Sequence, residues 1–173
     1  MSRKAIILTG KLVQDHEFIY PYYRLLEEGY EVDVVSNSME QIMGYLGAAK
    51  IQPTKPFKDV KIADYQLLLI PGGAKCMEYL RQEQEFLKFI ADFHKAGKVV
   101  SSICHAAQML ISAGIVKGKK ISGYYSIKDD INNAGATYVD APFVNDDRIV
   151  TSPHYKWLGP WMKETIAEVN RHL

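Results

Sequence analysis

The chain holds two cysteines in 173 residues, Cys76 and Cys104, too few for a disulfide framework. A reducing interior favours free thiols at both. Long apolar runs are also missing: Ala5 to Leu8 is far too short for a signal peptide or a spanning helix. A cytoplasmic protein with no membrane partner is expected. Charge of one sign is lacking too, since 21 Lys and Arg face 20 Asp and Glu for a net charge of +1. With no dense basic cluster, nothing supports a nucleic-acid partner. Thr9-Gly10-Lys11-Leu12-Val13 lacks the spaced glycines that cradle a pyrophosphate, and no Walker-type loop is present. His16, His94, His105, His154 and His172 show no zinc spacing, and the cysteines lie on different elements. Neither a metal nor a cofactor is expected.

What is present is an alternation of short apolar runs and helical patterns, expected to form one α/β domain over residues 1–173. Lys4 to Thr9, Glu31 to Ser36, Leu67 to Ile70 and Val99 onward read as strands. Ile121 to Tyr125, Thr137 to Val139 and Arg148 to Thr151 read as shorter ones, with Asn145-Asp146-Asp147 as a tight turn. Glu17 to Glu28 reads as a helix closed by Gly29, although Pro21 demands a kink or a start near itself. Glu78 to Ala96 carries Leu80, Phe86, Leu87, Ile90 and Phe93 at helical spacing. Ile127 to Ala134 and Trp157 to Val169 supply further helices. Met39 to Phe57 reads as a loose excursion or small hairpin with no site in it. This order predicts a doubly wound, mostly parallel sheet with helices on both faces.

The informative stretch is Lys98 to Gln108. A buried strand stops abruptly at Ile103 and passes through Cys104-His105 into a helical pattern. A nucleophile on such a turn stands at the sheet's C-terminal edge above helix N–H groups, where a thiolate is stabilised. Pro71-Gly72-Gly73 marks a second strand end on the same edge, where open α/β sheets place ligands. Blander readings stand beside these. Cys104 also fits as a small core residue, His105 as a polar helix start, Cys76 as a bystander, and Glu17 as a helix N-terminal acid.

Several pieces together resemble the PfpI-like intracellular protease family. That family sits in the superfamily of the human parkinsonism-associated protein and the class I glutamine-amidotransferase-like domains, with a flavodoxin-like sandwich fold. The pieces are Gln14 through Tyr22, Leu69-Ile70-Pro71-Gly72-Gly73, Ser101 through Leu110, Ile127 through Asp130, and Asn133 through Ala136. The resemblance implies Cys104 as the elbow nucleophile and His105 as its catalytic histidine. Glu17 becomes the acid approaching the thiol, protonated so that it donates to the sulfur. Gly72 and Gly73 are implied as oxyanion donors, and Tyr124 as a pocket residue. The chain also departs from the family. Gln14 and Met77 stand where protease-like relatives carry acids, with Glu78 one residue and about 100° of helix rotation away. Pro153 stands where relatives commonly have arginine. His154 follows it, either as a replacement polar group or as an ordinary loop residue.

The implied function is cysteine-dependent attack on a carbonyl, with a small carbonyl compound or a peptide as substrate. Relatives are named as intracellular proteases and as glyoxalase III or deglycase-like stress proteins. The alternative is a redox-sensing or stress-response protein whose Cys104 is oxidised without turnover. Self-association as a dimer or hexamer is expected from the family.

Overall fold

The computed structural model describes residues 3–173. A six-stranded sheet forms the centre, built from β1 (Arg3–Leu8), β2 (Tyr30–Val35), β5 (Leu67–Ile70), β6 (Val99–Ile103), β9 (Val144–Asp146) and β10 (Ile149–Ser152). Its order is β2-β1-β5-β6-β10-β9, parallel throughout except for the β9–β10 pair. Every residue of β5 and β6 is buried, as strands covered on both faces must be. The helices are α1 (Asp15–Glu27), α2 (Ala74–Leu80), α3 (Gln84–Lys95), α4 (Ala107–Ser112), α5 (Lys128–Asn133) and α6 (Leu158–Arg171). Two small pairs lie outside the sheet: a hairpin of β3 (Ile42–Met43) with β4 (Lys50–Ile51), and β7 (Lys120–Ile121) parallel to β8 (Thr137–Tyr138). The expected doubly wound, mostly parallel sheet is the one found.

Several local expectations change, each for a physical reason. Pro21 lies buried inside α1, which runs through it from Asp15. The carbonyl deprived of a donor is that of Glu17. The single helix expected over residues 78–96 is two, because the chain turns at Arg81–Glu83 between α2, which starts at Ala74, and the amphipathic α3. The strand expected over 121–125 ends at Ile121. Beyond it, Ser122 N–H donates to Thr151 Oγ1 at 2.8 Å and Tyr124 N–H to the Cys104 carbonyl at 3.1 Å, so neither is free for a ladder. Thr137–Tyr138 pairs with β7 rather than closing the main sheet. Asn145 and Asp146 belong to β9, and the turn is Asp147-Arg148, both with positive φ (52° and 62°) as tight hairpins require.

The 39–57 excursion is anchored by one buried carboxylate. Asp15 opens α1 and accepts N–H bonds from Leu46 and Ala49, each at 2.7 Å. A Cβ at Gly44 would lie 2.2 Å from Asp15 Oδ1, so only glycine lets the hairpin close over it. Burial works to raise the Asp15 pKa, but the N–H donors, Ala49 foremost, prevail and hold it below the ordinary carboxylate value. Its stabilisation is therefore present above the unfolded pKa and is lost as pH falls through the lower folded value. Asp15→Asn is expected to cost roughly 2–4 kcal/mol in urea unfolding at pH 7. Its cost should shrink at acid pH, and amide exchange should quicken at Leu46 and Ala49.

Candidate functional site

The site begins where β6 stops. Ile103 is extended, and Cys104 takes a left-handed conformation with φ of 59°, uncommon for a residue other than glycine. The chain then passes through a 3-10 turn at Cys104–Ala106 into α4. Neighbours hold this strained turn. Tyr124 N–H bonds the Cys104 carbonyl, and Gly123 packs so closely that a Cβ there would lie 3.0 Å from that of Ala107. Strain of this kind persists only where the surroundings over-determine it, and it gathers at functional positions.

Beneath the thiol lies Glu17, wholly buried on α1. Its Oε2 accepts Gly72 N–H at 2.9 Å, Oε1 has no hydrogen-bond partner, and the carboxyl interacts with the Cys104 thiol. Burial pushes the Glu17 pKa up to about 8 against the Gly72 and Cys104 contacts, so the carboxyl keeps its proton at neutral pH. Cys104 is also pushed up, first by burial and then by any charge on Glu17. The backbone N–H groups of His105 and Gly73 pull the other way. A helix end by itself therefore does not lower this thiol's pKa, contrary to the sequence expectation. Burial is the larger cause, and the repulsion adds to it only while Glu17 is charged.

His105 brings Nδ1 to 3.3 Å from Cys104 Sγ and stacks on Tyr124 with ring centres 4.6 Å apart. Burial pushes its pKa down, leaving a neutral imidazole able to exchange a proton with sulfur. Gly72 corrects another expectation. Its N–H is engaged by Glu17, so it is not an oxyanion donor. A side chain at this position would strike Glu17 Oε2 and the Ile103 carbonyl, both 2.7 Å from the Cβ position. Gly73, with φ of 108°, has its N–H at the sulfur and its α-carbon pressed against the backbone of Leu12 and Gln14.

Cys104, His105, Glu17, Gly73, Tyr124 and His154 all line one cleft of about 440 Å³. His154 thus faces the site rather than being an ordinary loop residue. Gln14 is on the rim, its amide 3.1 Å from His16 Nδ1, and Met77 is fully buried away from the cleft. Glu78 lines the cleft but is paired with Lys75 at 2.7 Å. Tyr45 and Tyr155 also line it, and the sequence reading placed neither in the site. Tyr155 adjoins the flagged His154, a local signal. Tyr45 arrives on the hairpin held by Asp15, which no local pattern announces. A separate cleft of about 470 Å³ contains Cys76, whose pKa burial pushes up to about 12, so that thiol is not poised for reaction. Among the described residues, no three His, Cys, Asp or Glu side chains are grouped to hold a metal.

The raised Glu17 pKa makes a stability prediction. Between the ordinary value of 4.5 and about 8 the unfolded chain ionises while the folded one stays protonated. Stability should therefore be full below pH 4.5 and fall as pH rises toward 8. Glu17→Gln keeps an acceptor for Gly72 and removes this term. In urea unfolding the variant should match the parent at pH 5 and exceed it at pH 8, by as much as ~4 kcal/mol.

The chain is similar to known proteins over nearly its whole length. Over 94% of its length the chain is 39% identical to a deglycase of Pyrococcus horikoshii, covering 97% of that protein. It is 36% identical to protein/nucleic acid deglycase 2 of Escherichia coli, over 88% of this chain and 89% of that one. A two-domain protein of Anabaena variabilis, with DJ-1/ThiJ/PfpI-like and ferritin-like domains, superposes with a TM-score of 0.94 at 29% identity. That match spans 98% of this chain and 48% of the other. Residues 3–168 match the DJ-1/PfpI family, and with the cysteine elbow and its buried acid in place the chain belongs to that family.

Proposed function

We propose that the protein is a cysteine-dependent enzyme of the deglycase and glyoxalase III type, acting on small carbonyl compounds or their adducts. One observation carries this reading: Cys104, strained at its elbow, touches both a buried carboxyl that keeps its proton and a neutral imidazole 3.3 Å from its sulfur. The names of the relatives support the same chemistry.

In this reading Cys104 Sγ adds to an aldehyde carbon. A C–S bond forms, the carbonyl π pair moves to oxygen, and the thiol proton passes to that oxygen by way of His105 or Glu17. With an α-oxoaldehyde, the hydrogen on the attacked carbon then moves as a proton to the adjacent carbon and the new hydroxyl's proton to the adjacent oxygen, giving a thioester. Water hydrolyses the thioester to a hydroxy acid and frees the thiol. The two carbons exchange oxidation state between them, so no external oxidant or cofactor is needed. Peptide cleavage asks for more: a protonated leaving amine and an extended groove. The cleft, closed in by Tyr45, Tyr124 and Tyr155, is the size of a small molecule.

Methylglyoxal consumption with lactate formation tests the proposal. Saturable turnover is expected, lost in Cys104→Ala and reduced about 10²- to 10⁴-fold in Glu17→Gln. Equal rates in the parent and Cys104→Ala would refute it. Sulfinic acid formation at Cys104 without any turnover would favour the redox-sensing reading.

A further inference from the structure

The cleft that holds Cys104 is also lined by a stack of rings around His154 with no assigned task. His154 stacks with Tyr124 at 6.2 Å between centres and contacts Tyr155 at 4.0 Å. Tyr155 is braced on its other side by His16 at 4.6 Å. The ring of His154 is fixed in orientation and also in tautomer. Its Nδ1 accepts Lys156 N–H at 3.1 Å, so the proton of the neutral imidazole sits on Nε2. Among the described residues no protein acceptor is found for that Nε2–H. His154 lines the same cleft as the nucleophile, so this fixed donor without a protein partner stands available to a ligand there.

We propose that His154 is the specificity-determining residue of this site, its Nε2–H holding the second oxygen of an uncharged 1,2-dicarbonyl or α-hydroxycarbonyl whose first carbonyl Cys104 attacks. The assignment rests on the carbonyl-directed reading of Cys104. His105 is tied to the sulfur through its Nδ1. The cleft offers no unpaired cation: Lys75, the one lysine lining it, is held by Glu78. Burial, Lys156 and His16 all push the His154 pKa down, so the donor carries no charge at neutral pH. A neutral donor in a cleft without a free cation favours a ketone or hydroxyl oxygen over a carboxylate.

Two variants separate holding the substrate from holding the loop. His154→Asn keeps an acceptor near the Nδ1 position for Lys156 N–H and loses the distal donor. His154→Gln reaches the Nε2 position with an N–H. Two readouts are made with each: steady-state methylglyoxal turnover, and protection of Cys104 by methylglyoxal against iodoacetamide. For His154→Asn we expect KM and the protecting concentration to rise about tenfold with kcat within threefold. His154→Gln should retain most of the affinity, and both variants should alkylate like the parent without ligand. Glyoxylate, which presents a carboxylate instead, should protect poorly in the parent. Unchanged affinity in His154→Asn, equal loss in both variants, or protection by glyoxylate equal to that by methylglyoxal would overturn the assignment. A parent protein that neither turns over methylglyoxal nor is protected by it would refute the carbonyl reading, and this assignment with it. A parent that does both while His154→Asn is unaffected refutes the assignment alone.

Discussion

One buried carboxyl organises this molecule. Glu17 sits without solvent contact between the start of α1, the Pro71-Gly72-Gly73 turn and the Cys104 elbow, with one oxygen on Gly72 N–H and the thiol beside the carboxyl. An ionised carboxylate there would face both a large desolvation cost and the repulsion of any thiolate beside it. With Glu17 protonated that repulsion is absent. Gly72 has no side chain to intervene, and the left-handed turn at Cys104 prevents the sulfur from retreating along the strand. Fold and chemistry meet in this contact.

The carboxyl is set by parts far apart in sequence. Parallel pairing of β5 with both β1 and β6 brings the ends of the three strands to one edge of the sheet. The segment from Gly10 to Gln14 is fastened to the same edge. Gln14 N–H bonds the Gly72 carbonyl at 3.1 Å, and Leu12 N–H bonds Met43 of the hairpin at 3.0 Å. Asp15, two residues before Glu17, ties that hairpin down through its own carboxylate. The two acids occupy opposite regimes. Asp15 is surrounded by N–H donors and stays charged, whereas Glu17 has one such donor and keeps its proton. The first turn of α1 therefore fixes one wall of the cleft with a charge and arms the thiol with a neutral acid.

The amino-acid order made the strands β5 and β6, the elbow after Ile103 and the Pro-Gly-Gly turn legible, because each rests on local apolar runs and breakers. Grouping Cys104, His105 and Glu17 needed the family resemblance, since Glu17 read alone is only a helix-start acid. Features set by distant hydrogen bonds were not legible. Gly72 N–H was assigned to an oxyanion because nothing local reveals that Glu17 occupies it. Tyr45 was passed over because its approach depends on Asp15 gripping a hairpin tip some thirty residues away. The strand expected to run on to Tyr125 was cut short by Thr151 and by the Cys104 carbonyl, two partners that only the folded sheet supplies.

The proton shared between Glu17 and Cys104 is tested most directly by the rate of iodoacetamide alkylation of Cys104 against pH, in the parent and in Glu17→Gln. Burial holds the parent midpoint up, and a protonated acid donating to the sulfur offsets part of that rise. Replacing the O–H donor by a weaker amide N–H should then move that midpoint upward, by about one pH unit. A downward shift in Glu17→Gln would contradict the account. Glu17 would then be a charge that suppresses the thiol rather than the acid that sustains it.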